Sequence, residues 1–447
     1  MSRSIKDPQN AAADSMLLLR EPPTLSGRVV EARGVLLRVV GASLRIGERV
    51  RLMRPETLEE QAGEVVGFTQ DGALVMPLAG LAGLSDITRV EGCGLDWQRL
   101  DPLALPGRIL DGLGNPLDGG PLPSTTGAPA RSAFTPINPM ARPLITQPFV
   151  TGVRAIDGLL TCGIGQRVGI FATAGGGKSS LMGMIANGAQ AETVVIALIG
   201  ERGREVAEFV HDHLHQRRQR AIVIATTSDR PAAERIRASR LACEIAAGLR
   251  SAGQHVLLLF DSLTRYARAL REVGLAVGEP PVRRGYPPRV FAELPQLIEM
   301  GGLTQEGSVT AFFTVLAEDE DLSDPIVEEA RSLLDGHIQL SSRLGGAGHY
   351  PAIDILRSKS RLMSRIAHPA HQACAQQIRE WLARYEDVEL LLQIGEYRRG
   401  NDIASDRAID MNPAIVQFLR QPTTSYARYD ETLAVLQALC AASPDTP

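Results

Sequence analysis

The feature that most constrains the fold is an alternation of apolar runs with helical stretches between about Thr151 and Arg365. The runs are RVGIFA, TVVIALIG, AIVIAT, HVLLLF and VTAFFTVL. Short runs rich in β-branched residues, separated by helical sequence, are typical of parallel strands joined by crossover helices. The pattern therefore predicts an α/β fold with a mostly parallel sheet and helices on both faces.

The sequence on either side of this region has a different hydrophobic pattern. From Gly27 to about Leu95, short alternating runs such as GRVVEA and GVLLRVV are separated by glycines, which indicates a small antiparallel β-barrel. DGLGNPLDGGPLPSTTGAPA is dense in Gly and Pro and is interpreted as a linker. The last eighty residues have helical periodicity. The predicted divisions are a flexible arm (1–24), a barrel (25–97), an α/β core that includes the linker (98–365) and a helical domain (366–447).

Composition excludes several classes of protein. A chain of 447 residues with 44% hydrophobic residues and a net charge of -4 is long enough for two or three domains and lacks the basic field of a nucleic-acid binder. No apolar run approaches the roughly 20 residues that span a bilayer, and the start lacks a secretory signal. The five cysteines are far apart and contain no C-x-x-C. A cytoplasmic protein without disulfides is expected.

The stretch GIFATAGGGKSSLM joins the first apolar run to a helix, where a phosphate-binding P-loop belongs. Glycines let backbone N–H groups turn toward phosphates, and the helix N-terminus adds partial positive charge. The strict motif has Gly at the position of Ala172, where compactness matters more than a positive φ. The predicted nucleotide-binding residues of this loop are Ala174, Gly175, Gly176, Gly177, Lys178, Ser179 and Ser180.

To hydrolyse a bound nucleotide, the protein also needs a metal ligand and a carboxylate that activates water. HVLLLFD ends in Asp261, at the carboxyl edge of the predicted sheet, so Asp261 and the Ser179 hydroxyl are predicted to hold Mg²⁺. The residue after Asp261 is Ser262, so the base must come from another strand. Glu201 follows TVVIALIG, with Arg202 beside it, and both are predicted to be catalytic. The alternative for Glu201 is a carboxylate that merely favours a helix N-terminus.

Six motifs in order resemble the type III secretion ATPases, which serve flagellar and injectisome export and are similar to the catalytic subunits of rotary F- and V-type ATPases. They are AGGGKSS, IGERGREVAEF, LLLFDSLTRYARALREVGLAVGEPP, RRGYPPRVFAELP, SLLDGHIQLS and GHYPAIDIL. The resemblance implies a homohexameric ring with ATP sites between subunits. Each subunit would contain a barrel collar, a RecA-like core and a helical domain facing the export gate.

The resemblance also assigns residues and partners. Lys178 and Ser179 match the P-loop, Glu201 the base, and Asp261 the metal side. Arg265 matches a supporting arginine, Tyr350 the tyrosine that stacks on adenine, and Arg361 the arginine finger that reaches the adjacent subunit's site. The implied ligands are ATP and Mg²⁺. The implied partners are stator and central-stalk proteins, the export gate and chaperone–effector complexes, with peripheral association at the cytoplasmic face of the inner membrane and no nucleic acid.

Three positions depart from the family pattern. Glu293 and Gln296 stand where arginines are frequent, and Ser342 stands where an arginine is usual. Charge at the pore or at subunit contacts is therefore expected to differ, without loss of hydrolysis.

Two local features have alternative interpretations. His211 and His215 are one helical turn apart, as metal ligands can be, but the default is a solvated amphipathic helix. Arginines concentrate in the first half of the barrel, where they indicate either the outer face of strands or a contact with acidic lipid or an acidic partner. They are Arg28, Arg33, Arg38, Arg45, Arg49, Arg51 and Arg54.

Two other classes of protein share the expected core. An RNA-tracking hexameric helicase needs aromatic platforms for bases, and this chain has one aromatic residue, Phe68, before Trp97. A non-catalytic rotary-type subunit would not require Lys178, Glu201 and Asp261 together. ATP turnover, and its response to single-stranded RNA, separates the three classes.

Overall fold

The computed structural model describes residues 26–94, 100–125, 138–173, 175–214, 217–317 and 324–441, so the predicted arm at 1–24 lies outside the described residues. The chain divides into two compact units, one built from the barrel and one from the large sheet with the C-terminal helices. Each unit has its own hydrophobic core.

The first unit is a closed antiparallel barrel with strand order β1-β2-β5-β4-β3-β6. Its strands are β1 (Gly27–Arg33), β2 (Leu36–Val40), β3 (Arg49–Met53), β4 (Glu60–Thr69), β5 (Gly72–Pro77) and β6 (Arg89–Gly92). Alternate residues point inward, so that Val29, Val39, Val50, Val75 and Val90 form the barrel core. The period-two pattern therefore fixes which face is buried.

The barrel arginines lie on the outer face, and several are paired there. The nitrogen-to-oxygen distances are 2.8 Å from Arg38 to Glu31, 3.5 Å from Arg51 to Glu60 and 2.6 Å from Arg54 to Glu59. The local positive charge is therefore smaller than the arginine count in the sequence indicates.

The second unit is built on a large sheet. Its remaining strands are β7 (Ile109–Leu110), β8 (Pro148–Phe149), β9 (Cys162–Gly163), β10 (Arg167–Ala172), β11 (Thr193–Glu201), β12 (Ala221–Thr227), β13 (His255–Asp261), β14 (Gly302–Leu303), β15 (Ser308–Leu316), β16 (Gly336–Leu340) and β17 (Ile353–Ser360). Among the described residues the main path of this sheet is β17-β16-β10-β15-β13-β11-β12-β7. β17 runs antiparallel to β16, and the other strands of this path are parallel.

Helices connect these strands and continue to the C-terminal end. They are α1 (Arg154–Leu159), α2 (Lys178–Gly188), α3 (Gly203–His213), α4 (Ala232–Ser251), α5 (Leu263–Val277), α6 (Pro288–Glu299), α7 (Pro325–Leu333), α8 (Ser342–Gly346), α9 (Met363–Ile366), α10 (Pro369–Gln393), α11 (Ile403–Leu419) and α12 (Tyr429–Ala441). Trp381 in α10, Ile415 in α11 and Leu436 in α12 are buried in the same core as the sheet. The helical domain therefore packs on the strands that carry the site.

The predicted linker is more ordered than its composition suggests. Ile109 and Leu110 form a parallel edge strand against β12, which the sequence analysis missed. The Asp111 carboxylate then accepts two backbone N–H groups of the following turn, and Asp118 accepts from Arg108 at 2.8 Å. Aspartate side chains thus order the turns up to Gly120, and Leu100 and Thr125 form an isolated β-bridge; residues 126–130 lie outside the described residues.

Candidate active site

The candidate site lies at the carboxyl edge of the sheet. Glu201 is the last residue of β11, Asp261 is the last residue of β13, and the predicted P-loop connects β10 to α2. Because these strands are parallel, their carboxyl ends meet at one edge, where ligands of open α/β sheets bind. β15 lies between β10 and β13, so Asp261 reaches the loop across one intervening strand.

Two glycines give the loop its backbone shape. Gly175 has a φ of 80° and Gly177 a φ of 79°, a region that glycine adopts at little cost. Gly177 is the N-cap of α2 and has no side chain to cover the helix end. Ala172 is buried within β10, so a compact residue suffices there, as predicted. Ala174 lies outside the described residues.

Lys178 joins the two carboxylates. Its Nζ lies 2.6 Å from Asp261 Oδ1 and 3.5 Å from Glu201 Oε1. Asp261 is 4% exposed and Glu201 is 5% exposed, so both charges are removed from bulk water. Two buried carboxylates at one edge need a shared cation, and Lys178 supplies it.

The electrostatics of this cluster favour proton transfer near neutral pH. Burial, reinforced by the negative charge of Asp261, raises the pKa of Glu201 to about 7. Burial alone would lower the pKa of Lys178, but attraction to Asp261 and Glu201 outweighs it and raises that pKa. Lys178 is therefore a fixed cation, whereas Glu201 can exchange a proton in the physiological range.

A threonine completes the cluster. Thr314 lies in β15, and its hydroxyl donates a 2.7 Å hydrogen bond to Asp261 Oδ1. Sequence reasoning missed this residue, although the two threonines in the otherwise apolar run VTAFFTVL, Thr310 and Thr314, were a usable signal. Thr314 fixes the Asp261 carboxylate from the intervening strand.

Arg265 and Arg202, the two arginines near Glu201, differ in whether they reach its carboxylate. Arg265 Nε lies 3.9 Å from Glu201 Oε1, and this buried nitrogen has no hydrogen-bond partner among the described residues. Arg202, in contrast, has a side chain that is 78% exposed and pairs with Glu205 at 3.2 Å. The structure therefore brings Arg265 to the carboxylate cluster and leaves Arg202 on the surface.

Tyr350 and Arg361 flank opposite ends of β17. A Cβ placed on Gly177 would lie 3.2 Å from the Tyr350 ring, so this ring stands beside the P-loop. Arg361 follows the end of β17 that pairs with Gly336, the first residue of β16, and its guanidinium donates to the Arg331 carbonyl. Arg361 is exposed at the amino edge of the sheet, away from its own P-loop.

The donor set suits a magnesium ion. Ser179 is exposed in the first turn of α2, and Asp261 offers a carboxylate at the same edge. Mg²⁺ prefers hard oxygen ligands and takes one or two from protein, with water and phosphate supplying the rest. The described residues contain no group of three His, Cys, Asp or Glu side chains placed to hold a metal by themselves.

Other predicted features lie outside this cluster. His211 is exposed on α3 with its ring nitrogen 2.7 Å from Asp212, and His215 is among the residues not described. Glu293 pairs with Arg240 at 2.9 Å, so its charge is compensated within the subunit. Gln296 is exposed on α6, and Ser342 is exposed at the start of α8.

The barrel, the parallel sheet and the Lys178 cluster define a P-loop ATPase with a RecA-like core. Residues 152–360 match the family described as "ATP synthase alpha/beta family, nucleotide-binding domain", and residues 367–438 match "T3SS EscN ATPase C-terminal domain". The predicted fold class is confirmed.

The individual relatives narrow the class. The chain is 50% identical to a type 3 secretion system ATPase of Xanthomonas euvesicatoria, over 94% of this chain and 97% of the relative. It is 42% identical to a flagellum-specific ATP synthase of Bacillus subtilis, over 92% and 94%. The assembled ATPase EscN of enteropathogenic E. coli superposes with a TM-score of 0.86 at 42% identity, over 92% and 99%.

The chain belongs to the type 3 secretion system ATPases. The predicted family, the ATPase activity and the role in protein export are confirmed. This result favours the export ATPase over the RNA helicase and the non-catalytic subunit. Among the described residues, no helix combines the length and hydropathy needed to cross a bilayer.

Proposed function

We propose that this chain hydrolyses Mg-ATP between subunits of a homohexameric ring and uses the energy to release chaperones, unfold substrates and export them. The observation that carries the site assignment is the buried contact of Lys178 with Asp261 and Glu201. P-loop NTPases bring together a P-loop lysine for the phosphates, an aspartate on the Mg²⁺ side and a residue that orients the attacking water, and this cluster places those three residue types at one edge of the sheet.

Each residue of the cluster has a distinct task. Gly175 to Ser180, with Ala174, cradle the phosphates through backbone N–H groups and the N-terminus of α2. Lys178 offers its charge to the transferring phosphoryl group, and Arg265 offers an unpaired donor beside Glu201. Glu201 accepts the proton of the attacking water, a role that its raised pKa supports.

Ser179 and Asp261 would hold Mg²⁺, which neutralises phosphate charge when it is bound. Asp261 suits this role because Thr314 already fixes its carboxylate. Tyr350 would stack on the adenine, since its ring stands beside Gly177. Arg202 is the least supported of the predicted catalytic residues, because its side chain is directed to Glu205 on the surface.

The ring is supported by the position of Arg361. The two ends of β17, Ile353 and Ser360, pair with Leu340 and Gly336 of β16, which are four residues and roughly 13 Å apart at about 3.3 Å per residue. Arg361 follows the end at the amino edge, opposite its own P-loop, which supports the role of a finger in an adjacent subunit's site. One solved relative is an assembled EscN with its central stalk EscO, at 42% identity and a TM-score of 0.83.

The proposed partners follow from this assembly and from the family. A central stalk would enter the ring, and stator proteins would tether it to the cytoplasmic face of the inner membrane. Chaperone–effector complexes would deliver substrates, and the export gate would receive them. The solved complex of EscN with its central stalk supports the stalk, and the resemblance to the family implies the other partners.

Two substitutions test the chemistry. Lys178→Ala should abolish Mg-ATP hydrolysis and weaken nucleotide binding, whereas Glu201→Gln should keep binding and ring formation but stop turnover. Glu208→Gln is the charge-matched control, because Glu208 is exposed on α3 and pairs only with Arg204 in the described contacts. Normal turnover by Glu201→Gln would transfer the role of base to another carboxylate, Glu205 first.

A mixing experiment tests the finger. Arg361→Ala should lose roughly a thousandfold in turnover while its monomer binds nucleotide normally. Rings mixed from Lys178→Ala and Arg361→Ala subunits contain some sites with both an intact loop and an intact finger, and these should recover part of the activity. Full specific activity of the wild-type protein in dilute monomer would exclude a finger acting in trans.

A further inference from the structure

The connection between α11 and α12, residues 420–428, contacts the nucleotide-binding domain at two places. At the first, the Gln421 backbone N–H donates to the Tyr350 carbonyl at 2.9 Å. At the second, a Cβ on Gly188, the last residue of α2, would lie 3.1 Å from the Tyr426 Cβ. A segment of the helical domain therefore lies against the residue that flanks the base and against the far end of the P-loop helix.

Gln421 is the centre of this connection. It is 4% exposed, and its Oε1 accepts the backbone N–H of Arg154 at 2.9 Å. Its Nε2 donates to the carbonyls of Gly152 and Ser425, each at 2.8 Å. Both Nε2 protons and the carbonyl oxygen are thus used, and the amide is the only neutral side-chain group of this size with one acceptor and two donors.

The other ends of these hydrogen bonds are themselves fixed. The Gly152 N–H and the Thr151 N–H both donate to the buried Asp157 carboxylate, at 2.9 Å each. The Gly152 carbonyl also accepts the N–H of Ala427 at 2.9 Å. Gln421 therefore connects a rigid turn of the nucleotide-binding domain to the helical domain.

We infer that Gln421 is a positioning residue that holds Tyr350 for stacking on the nucleobase and makes the affinity for the base depend on the helical domain. The inference rests on the proposed role of Tyr350 in adenine binding. The described hydrogen bonds of Gln421 go to Arg154, Gly152, Ser425 and Tyr350, and none goes to the phosphate cradle at 175–180. Loosening Gln421 should therefore weaken recognition of the base and leave phosphate binding unchanged.

The test compares Mg-ADP with Mg-tripolyphosphate as probes of the full-length chain, by calorimetry. Gln421→Met keeps the length of the side chain and removes its hydrogen bonds. We expect the Kd for ADP to rise about tenfold, with an unchanged Kd for tripolyphosphate. Gln372→Met is the matched control, since Gln372 Nε2 also donates to two carbonyls, those of Ser364 and Ala367, within a different loop.

Tyr350→Ala separates this inference from the assignment of the base site. If Tyr350→Ala weakens ADP binding and Gln421→Met does not, the positioning role is wrong while the base site stands. If Tyr350→Ala leaves ADP binding unchanged, both are wrong. An equal loss for both probes in Gln421→Met would show a general structural role and overturn the inference.

A second variant covers the case in which Gln421→Met does not fold. Gln421→Asn keeps the amide but is one methylene shorter, so it should retain part of the contacts and show the same selective loss at smaller size. Gln421→Glu should be worse than methionine, because a carboxylate would face the Gly152 and Ser425 carbonyls. Thermal unfolding of each variant checks that the selective loss occurs in folded protein.

Discussion

Replacing Glu201 with Gln should make the nucleotide-free protein more stable while it abolishes turnover. The carboxylate is buried, and its pKa is raised from 4.5 to about 7 in the folded state. A difference of about 2.5 pH units at about 1.4 kcal/mol per unit corresponds to ~3 kcal/mol of folding free energy lost when the group is ionised. Glutamine has the same shape and carries no charge, so it avoids this cost.

The sign of the effect fixes its dependence on pH. Between about pH 4.5 and 7 Glu201 binds more protons in the folded protein than in the unfolded chain, so its contribution to wild-type stability decreases as pH rises through that window. The Gln variant lacks this contribution. The two proteins should therefore be equally stable below about pH 4 and differ most, by up to ~3 kcal/mol, above pH 7.

The assay is denaturant unfolding without nucleotide or metal, followed by the fluorescence of Trp381. This tryptophan is buried in the core that carries the site strands. A Trp97→Phe background removes the other tryptophan from every variant. Glu208→Gln, an exposed change of the same charge, should stay within about 0.5 kcal/mol of its parent at all pH values.

A Glu201→Gln protein that is no more stable than the Glu208→Gln control at pH 8 would refute the reasoning. It would mean that the contact with Lys178 fully compensates the burial of the carboxylate. A less stable variant would mean that the ion pair is a net stabilising interaction, against the cost expected for buried charges.

The remaining predictions concern the same edge of the sheet. Thr314→Val should cost about 1–3 kcal/mol of stability and lower the rate of single-turnover hydrolysis, because Asp261 loses a buried hydrogen-bond donor. Thr314→Ser, which keeps the hydroxyl, should restore both. A Thr314→Val protein with unchanged stability and unchanged turnover would argue against the role of Thr314. Gly177→Ala should abolish nucleotide binding in calorimetry, since the residue has a φ of 79° and its new methyl group would meet Tyr350 at 3.2 Å. Gly346→Ala, in open space, should bind normally; equal affinity of the two variants would contradict the strain argument.

Local sequence patterns were sufficient to predict the architecture of the sheet and the carboxyl ends of its strands. Asp261 and Glu201 could be placed because each follows an uninterrupted apolar run, and parallel strands end at one edge. The edge strand Ile109–Leu110 could not be predicted, since two residues carry no period. The ordered turns after it depend on aspartate hydrogen bonds that Gly and Pro content does not reveal.

Contacts between distant segments limited the prediction of the site. Thr314 and Gln421 are polar residues without a motif, and their partners lie 53 and 267 residues away along the chain. Arg202 shows the reverse case, in which adjacency to Glu201 suggested a catalytic role. Its position as the N-cap of α3 instead directs the side chain toward Glu205.

The strand β17 lies between the residue proposed to stack on the base and the residue proposed to reach the next subunit's site. Tyr350 precedes it at the P-loop edge, and Arg361 follows it at the opposite edge. The helical domain contacts both the strand and the residue before it. The Gln421 backbone N–H donates to the Tyr350 carbonyl, and the Arg379 guanidinium donates to the carbonyls of Ile355 and Ser358, at 2.8 and 3.1 Å. Arg379 lies in α10, so a partner that displaced α10 would act on β17. In the proposed ring, that displacement would change the base site of one subunit and the finger in the next site together.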